Sequence, residues 1–459
     1  MKKLIGSEIE GSEKIKQLVK NLVAEVQSQC QRIETTKDAE ESLLSSHKEL
    51  VERFGKFRGR PLYYPYIGSG AGKGPYVELT DGSVKLDLIN GIGIHIMGHS
   101  HPEVMEAAIM GSLSDVIIQG NLQPNMEYGL MSQKLVELAS PKSRLRHAWV
   151  TTSGSMANEN ALKACRQKLS PARKVIAFEA AFAGRTTMMA EITDNPGFKV
   201  GLPEYNEVLR LPFYNKKDPA SIDKTLSALK RHIGENPKDI CAFMFEPMQG
   251  EGGYNVAPRE FFIPLFDECR KAGILIWADE VQTFCRTGQF FAFETLDFGD
   301  YIDVCTVAKT LQSGATLYTE ETNPQPGLIA GTFSGCGSEL RAGLEILNIL
   351  ENQGYMGPSG KIAKIHNEFV GMLNTLNETT CKGLLQEAGG LGLMVAVTPL
   401  DGSKEKQGEL LKTLYKNGLM AFGCGRGPFR LRFLLPMIMT SQDIASAGKL
   451  IEKSILELA

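Results

Sequence analysis

Two short apolar runs in the middle of the chain each end in a chemically reactive side chain. The run 273–278 leads into Asp279, and the run 303–308 leads into Lys309. Short runs rich in Ile and Val and bounded by polar turns are typical of buried strands in a parallel sheet. Ligands of open α/β sheets bind beyond the carboxyl ends of such strands. An acid and a lysine at two such tips suggest a ring-nitrogen cofactor held as a Schiff base, although a turn-capping acid and a surface lysine would give the same pattern.

Strand-like and helix-like segments alternate on both sides of these runs. Strands are predicted at 148–152, 175–178 and 240–245, and helices at 156–168, 221–233 and 259–271. This alternation indicates βαβ units and a mostly parallel sheet. After Arg341 the pattern changes to helices interleaved with two strands, at 392–397 and 429–435, which indicates a smaller α+β unit.

The length of 459 residues exceeds what one ordinary core accommodates, so we expect several domains. Apolar residues from Ile15 to Val26 recur at helical spacing, and a second, charged helix is predicted at 38–54. A hairpin is predicted at 76–86, on an Asp-Gly turn. The predicted units are a helical extension (1–58), the N-terminal part of a small domain (59–110), a large domain (111–340) and the C-terminal part of the small domain (341–459).

Charge and cysteine content exclude several classes of function. The chain has 50 basic and 53 acidic residues and no dense basic run, so we expect neither a nucleic-acid partner nor a membrane partner. No stretch approaches the roughly 20 apolar residues of a membrane span. Nine scattered cysteines without a CxxC pair fit reduced thiols in the cytoplasm. His99 and His101 lack further ligand residues nearby, so we predict no metal site.

Three further predicted strand tips carry polar motifs. The sequence Ser153-Gly154-Ser155-Met156 lies between a strand and a helix, where backbone N–H groups and the helix dipole favour a phosphate. Phe182 and Arg185 follow the next strand, where an aromatic ring could stack on a heterocycle and a guanidinium could hold a carboxylate. The tip after 240–245 carries two acids, in Glu246-Pro247-Met248-Gln249-Gly250-Glu251.

Together these motifs resemble those of the class-III aminotransferases (the ornithine, acetylornithine and 4-aminobutyrate family). The resemblance covers about residues 60–455 and includes Glu-Pro-x-Gln-Gly-Glu at 246–251, Asp-Glu-Val-Gln-Thr at 279–283, Ala-Lys at 308–309 and Gly-Thr-Phe-Ser-Gly at 331–335. It implies a fold type I pyridoxal 5'-phosphate (PLP) enzyme. The implied fold is a large α/β domain with a mostly parallel seven-stranded sheet flanked by helices, plus a smaller α+β domain.

The resemblance also implies roles in cofactor binding. Lys309 would be the Schiff-base lysine and the general base and acid, and Asp279 would pair with the pyridine nitrogen. Gln282 would bond the phenolic oxygen. The remaining residues implied at the cofactor are Ser153, Gly154, Ser155, Met156, Phe182, Glu246 and, from the partner subunit of a homodimer with shared active sites, Thr332.

The implied substrate site consists of two arginines, an acid and an apolar wall. Arg432 would take an α-carboxylate, and Glu251 would neutralise it when an amine enters instead. Arg185 would take the distal carboxylate of glutamate, and Ile92 would line the pocket. The motifs therefore imply an aminotransferase that exchanges an amino group between an amine or amino acid, terminal amines included, and 2-oxoglutarate by a ping-pong mechanism. An aminomutase, an amino-acid racemase of the same fold or a catalytically impaired relative are the alternatives.

Several positions depart from the family pattern. Met156 stands where a small acid is usual, Ala183 where His or Trp is usual, and Cys336 where Asn is usual. The loop 283–288 is shorter than its usual counterpart, and 310–315 replaces a segment that is usually rich in glycine. We therefore expect the cofactor site to be retained and the substrate pocket to differ.

Overall fold

Helices and strands alternate along residues 4–459, the part of the chain that the computed structural model describes. The helices are α1 (Ile5–Glu10), α2 (Glu13–Cys30), α3 (Glu41–Arg58), α4 (Asn90–Gly93), α5 (Pro102–Ser112), α6 (Met126–Ala139), α7 (Gly154–Lys168), α8 (Thr187–Ile192), α9 (Ser221–Glu235), α10 (Arg259–Lys271), α11 (Ala292–Thr295), α12 (Gly337–Asn352), α13 (Lys361–Glu378), α14 (Lys404–Asn417) and α15 (Ser441–Leu456). The strands are β1 (Gly68–Lys73), β2 (Tyr76–Leu79), β3 (Val84–Asp87), β4 (Ile118–Gln119), β5 (His147–Thr151), β6 (Lys174–Phe178), β7 (Val208–Leu211), β8 (Ile240–Phe245), β9 (Met248–Gln249), β10 (Asn255–Val256), β11 (Leu275–Asp279), β12 (Val304–Val307), β13 (Gly314–Tyr318), β14 (Gly335–Cys336), β15 (Leu385–Leu391), β16 (Met394–Pro399), β17 (Leu419–Met420), β18 (Phe422–Cys424) and β19 (Arg430–Leu434).

A seven-stranded sheet in the order β5-β13-β12-β11-β8-β6-β7 forms the centre of the molecule. Six of its strands run in one direction, and β13 lies antiparallel between β5 and β12. All six residues of β8 are buried, because helices cover both faces of the sheet. The predicted α/β fold with a mostly parallel seven-stranded sheet is confirmed.

A group of phenylalanines fixes α10 against this sheet. Phe262 and Phe266 of α10 contact Phe245 of β8 with ring centroids 5.4 and 5.1 Å apart. Aromatic pairs at these distances each add about 0.5–1.5 kcal/mol beyond the burial of their area. The strand whose tip carries Glu246 is therefore held in a densely packed core.

Two four-stranded sheets and two two-stranded sheets, β9-β10 and β4-β14, form the rest of the β structure described for residues 4–459. One four-stranded sheet has the order β15-β16-β19-β18, and the other has the order β1-β2-β3-β17. The second contains the predicted hairpin, β2 and β3 joined at Asp81-Gly82. Its fourth strand, β17, comes from the C-terminal part of the chain and pairs in parallel with β3. Residues near 86 and residues near 419 are thus joined in one sheet.

The helices before residue 59 only partly match the expected pattern. Ser12 caps α2 through its side-chain oxygen, and α2 packs on α5 with Val19 and Val23 buried. Leu18 and Leu22 of the predicted apolar stripe are instead exposed. The stripe therefore contacts the body of the protein along one edge only. Within residues 4–459, no helix combines the length and the apolar character needed to cross a membrane.

Candidate active site

The carboxyl ends of neighbouring strands in the central sheet open onto one cavity of about 310 Å³. The tips of β5, β8, β11 and β12 and the segment after β6 contribute to its lining. Eight of the site residues predicted from the sequence lie there: Ser153, Gly154, Ser155, Phe182, Glu246, Asp279, Gln282 and Lys309.

The N-terminus of α7 points its first turn at this cavity. Ser153 is the N-cap, and its Oγ accepts a hydrogen bond from the backbone N–H of Met156 at 3.3 Å. The first N–H groups of a helix lack partners within the helix and attract anions. A Cβ on Gly154 would lie 2.6 Å from Cγ1 of Val281, so only glycine lets the helix start approach the tip of β11 this closely.

Asp279 is a buried acid held by two donors. Its Oδ1 accepts from the backbone N–H of Val281 at 2.9 Å, and its Oδ2 accepts from Nδ2 of Asn158 at 2.7 Å. Burial raises the pKa of Asp279 to about 6, although these hydrogen bonds and the charge of Lys309 oppose the rise. The carboxylate is therefore fixed in direction and available for a buried cationic partner.

Lys309 follows β12 and lines the same cavity. Burial lowers the pKa of its amine to about 8, against the opposing charge of Asp279. Its backbone is left-handed, with φ of 52°. Such conformations in residues other than glycine are concentrated at functional sites, where the surrounding structure maintains them.

Glu246 connects two loops at the edge of the cavity. Its Oε1 accepts from the backbone N–H of Phe182 at 3.0 Å, and its Oε2 accepts from that of Gly250 at 2.9 Å. Burial, together with the neighbouring charge of Asp279, raises the pKa of Glu246 to about 8. Glu246 therefore fixes the loop that places the ring of Phe182 at the cavity wall.

Arg432 and Glu251 form an ion pair near the cavity. Nη2 of Arg432 lies 2.7 Å from Oε1 of Glu251, and the arginine is fully buried. Burial alone would lower the pKa of Arg432, but the carboxylate of Glu251 reverses this effect and raises it. Nε and Nη1 of Arg432 have no partner among residues 4–459. Glu251 also lines a second cavity of about 210 Å³, which shares Phe182 with the first.

Six predicted site residues lie outside the lining of the main cavity: Arg432 and Glu251, described above, and Met156, Thr332, Ile92 and Arg185. Met156 and Thr332 are exposed, Ile92 is partly exposed at 38%, and the guanidinium of Arg185 stacks 3.3 Å from the ring centroid of Phe198. Within this chain, then, neither the side chain of Met156 nor Thr332 lines the main cavity.

The structure adds residues that the sequence did not identify. Asn158 donates to both Asp279 and the carbonyl of Ala183, each at 2.7 Å. It lies four residues after Gly154, so helical spacing along the Ser-Gly-Ser motif would have placed it on the same face. Glu280 and Arg286 are fully buried beside the site, and nothing in their local sequence separates them from surface charges.

His99, one of the two histidines considered as metal ligands, forms a structural contact. Nε2 of His99 lies 3.1 Å from Oδ2 of Asp87, whose other oxygen accepts from the backbone N–H groups of Ile89 and Asn90. Among residues 4–459, no three His, Cys, Asp or Glu side chains form a group that could hold a metal ion.

Comparisons with known proteins match this chain to one family of enzymes. The family described as "Aminotransferase class-III" matches residues 65–455. A probable 4-aminobutyrate aminotransferase of Bacillus subtilis is 29% identical over 406 residues, covering 84% of this chain and 92% of the relative. An acetylornithine aminotransferase of Methanocaldococcus jannaschii is 30% identical over 400 residues, covering 84% and 93%.

Solved structures share the fold. The ornithine aminotransferase of Toxoplasma gondii, crystallised with oxidised glutathione and with PLP at partial occupancy in its active site, superposes with a TM-score of 0.77 at 22% identity. The match covers 91% of this chain and 96% of that one. The arrangement of elements around the cavity is therefore that of a known enzyme fold.

Proposed function

Because the chain belongs to the class-III aminotransferases, which are PLP-dependent enzymes, we propose that it transfers an amino group from a chain-terminal amine or an amino acid to 2-oxoglutarate. Transamination with PLP is the activity of the family. The substrate pair, the ping-pong order and the residue roles are our proposal. The observation that carries the substrate pair is the ion pair, at 2.7 Å, between the buried Arg432 and the partly exposed Glu251.

The residues of the main cavity fit PLP. The helix start at Gly154 and Ser155 would hold the phosphate, with Thr332 of the partner subunit completing the cup. Gln282 lines the cavity, and its buried Oε1 has no hydrogen-bond partner within residues 4–459; Nε2 of the same amide would donate to the phenolic oxygen. Asp279 would hold the ring nitrogen, and the ring of Phe182 would cover one face. When bound, PLP supplies an electron-withdrawing ring that stabilises negative charge on the carbon beside the amino group.

Lys309 is the group we assign to proton transfer. With a pKa of about 8, its Nζ can both take and return a proton near neutral pH, as a general base and acid must. Asp279 remains oriented by Asn158 and the N–H of Val281 while it carries charge. Because these groups are fixed before substrate binds, little reorganisation is needed during the reaction.

Arg432 and Glu251 are the groups we assign to choosing between two kinds of substrate. A substrate α-carboxylate would replace Glu251 on the buried guanidinium, which has two nitrogens free to receive it. An amine without that carboxylate would leave the ion pair intact, so the cation stays neutralised. Glutamate and a terminal amine could thus use one site in alternation, with Arg185 taking the distal carboxylate of glutamate. Ile92 would form part of the pocket wall.

The names of the relatives narrow the choice of amino donors. They act on 4-aminobutyrate, 5-aminovalerate and acetylornithine, in each of which a terminal amine is separated from a carboxylate by a short chain. We propose a donor of this class for the present chain. We also propose a cytoplasmic homodimer with shared active sites, on the grounds of its nine free thiols and the position of Thr332.

A donor screen tests the proposal. The protein, loaded with PLP, is given 2-oxoglutarate and each of 4-aminobutyrate, 5-aminovalerate, ornithine and N-acetylornithine, and glutamate formation is measured. We expect glutamate from at least one donor and none with K309A. Glutamate from no donor, or racemisation of an amino acid without any keto acid at a comparable rate, would contradict the proposal.

A further inference from the structure

Arg286 is a fully buried cation without a carboxylate partner among residues 4–459. Its Nη1 donates to the carbonyls of Gln282 at 3.0 Å and Phe284 at 3.5 Å, and its Nη2 donates to the carbonyl of Gly93. It forms no ion pair within the described residues, and burial lowers its pKa to about 10. A buried guanidinium that bonds only carbonyls is costly to maintain, so its position calls for a role.

The carbonyl of Gly93 ends a left-handed turn. The four consecutive residues Asn90, Gly91, Ile92 and Gly93 all have positive φ, from 51° to 89°. For Asn90 and Ile92 this conformation is strained, because the Cβ crowds the carbonyl. Nδ2 of Asn90 donates to the carbonyl of Leu434 at 2.6 Å and holds the start of the turn.

Arg286 fits the far end of this turn closely. A Cβ on Gly93 would lie 2.8 Å from Nη2 of Arg286, so glycine is required there for the guanidinium to reach the carbonyl. The same side chain donates to the carbonyl of Gln282, a residue that lines the main cavity. One fork thus joins the segment of Ile92 and Ile94 to the loop of Gln282.

We infer that Arg286 is a positioning residue: its buried guanidinium clamps the left-handed turn Asn90–Gly93, and with it the cavity wall at Ile94, to the loop that carries Gln282. Describing this wall as a substrate wall rests on the proposed function. The clamp itself rests on the contacts alone. Lysine keeps the charge but cannot direct two nitrogens at separate carbonyls, so R286K removes the fork while leaving the cation.

Hydrogen exchange of the full-length, cofactor-free protein tests the clamp directly. We compare R286K with R53K, a matched change at an exposed arginine of α3. In R286K we expect amides of 89–95 to exchange roughly tenfold faster, as for the loss of one hydrogen bond to a charged group. Exchange in β8 and β11 should match that of R53K.

A second variant shows whether Arg286 acts through the strained turn. In I92G the turn is relieved, because glycine adopts positive φ without strain. We expect R286K to accelerate exchange in 89–95 by less than half as much in the I92G background as in the wild-type background. If R286K folds poorly by itself, we expect I92G to restore its folding. Equal effects in both backgrounds, absence of rescue, or faster exchange across the whole sheet would overturn the inference.

Kinetics connect the clamp to the reaction. With glutamate as substrate, R286K should raise KM roughly tenfold while kcat stays within about twofold, since the wall and not the proton transfer is disturbed. A fall in kcat at constant KM would overturn the positioning role. If the wild-type protein never transaminates, the proposed function is refuted. If R286K nevertheless shows the expected exchange pattern, the clamp remains supported.

Discussion

Lys309 combines two unusual properties at one residue. Its backbone has φ of 52°, and burial lowers the pKa of its amine to about 8. A left-handed conformation costs roughly 1–2 kcal/mol for a residue with a Cβ, so neighbouring contacts must maintain it. The charges that act on its amine come from Asp279 and Glu251, which raise the pKa, and from Arg286 and Arg432, which lower it. The reactivity of the amine is thus set by its burial and by four charged groups around it.

The titration of Lys309 in the cofactor-free protein follows from this arrangement. The rate at which an amine-reactive acylating reagent modifies Lys309 should rise with pH and be half-maximal near pH 8, because only the neutral amine reacts. In D279N the midpoint should move to lower pH, because the carboxylate that stabilises the ammonium form is lost. Peptide mass spectrometry after timed labelling measures both midpoints.

Exposed lysines of the same samples provide the control. Lys14 is exposed and is labelled in the same samples. If the labelling of Lys309 depends on pH in the same way as that of Lys14, or if D279N moves the midpoint upward, the electrostatic account of the site is wrong.

At the scale of residues, the sequence predicts which site residues follow the strands. It does not predict which residues from distant parts of the chain contact them. Asp279 and Lys309 could be placed because each ends an apolar run, and such ends meet at one edge of a sheet. Arg286 could not be placed, because its role depends on Gly93, which lies 193 positions away in the chain. Asn158 could have been found from its helical spacing with Gly154.

Elements whose sequence is periodic or uniformly apolar were predicted closely. The predicted bounds of β8 and α10 match the structure to the residue, because six consecutive apolar residues form β8 and Pro258 precedes α10. The sequence does not predict β15, because only Leu385 of its seven residues is buried and the strand lacks an alternation of buried and exposed residues. β13 begins in the segment 310–315, for which the sequence predicts only a departure from the family pattern, and pairing with β5 and β12 determines its conformation.

The start of α7 gives a prediction at the scale of an element. In G154A the new methyl group would meet Val281 at 2.6 Å, and such overpacking typically costs about 1–3 kcal/mol. We expect the helix start to shift away from the cavity and the affinity for PLP to fall on the order of tenfold. Fluorescence titration of the cofactor-free protein with PLP measures the change.

Gly129, on the exposed face of α6, offers a matched substitution. A Cβ there meets nothing within 4 Å, so G129A should leave the affinity for PLP unchanged and should, if anything, stabilise the helix by about 0.5–1 kcal/mol. Equal loss of affinity in G154A and G129A would show that crowding at the helix start has no part in binding.

At the scale of the whole molecule, α1 attaches to the body of the protein through a charged cluster. Arg341 of α12 lies 2.9 Å from Glu10 and 2.9 Å from Glu127. Glu127 is buried, and its other oxygen accepts from Nε2 of Gln119 at 3.2 Å, whereas the side chain of Glu10 is 60% exposed. The buried and exposed halves of one cluster should therefore contribute very differently to stability.

Urea unfolding of two variants measures the contributions of the buried and the exposed ion pair separately. R341A leaves the carboxylate of Glu127 buried with only Gln119 as a donor, and we expect the free energy of unfolding to fall by about 3 kcal/mol. E10A removes only an exposed partner and should change it by less than about 1 kcal/mol. Similar losses in both variants would mean that the attachment of α1, and not the buried charge, supplies the stability.

Shared active sites can be tested by mixing two inactive proteins. K309A lacks the reactive amine. T332D places a negative charge at the position that we propose contacts the cofactor phosphate bound by the partner subunit. Each homodimer should be inactive, but a hybrid has one site with an intact lysine and an intact partner threonine. If the two proteins are unfolded together and refolded as an equal mixture, half of the dimers are hybrids. Activity should then recover to about a quarter of the wild-type level.

The outcome also determines which residues belong to one catalytic unit. Thr332 is exposed and lies outside the cavity of its own chain, so within a monomer T332D should leave that cavity intact. An active T332D protein, or a mixture no more active than its components, would mean that each chain carries a complete site. Recovery in the mixture would assign the loop 331–334 to the opposite active site, because no other pairing of the two variants restores both Lys309 and the threonine to one cavity.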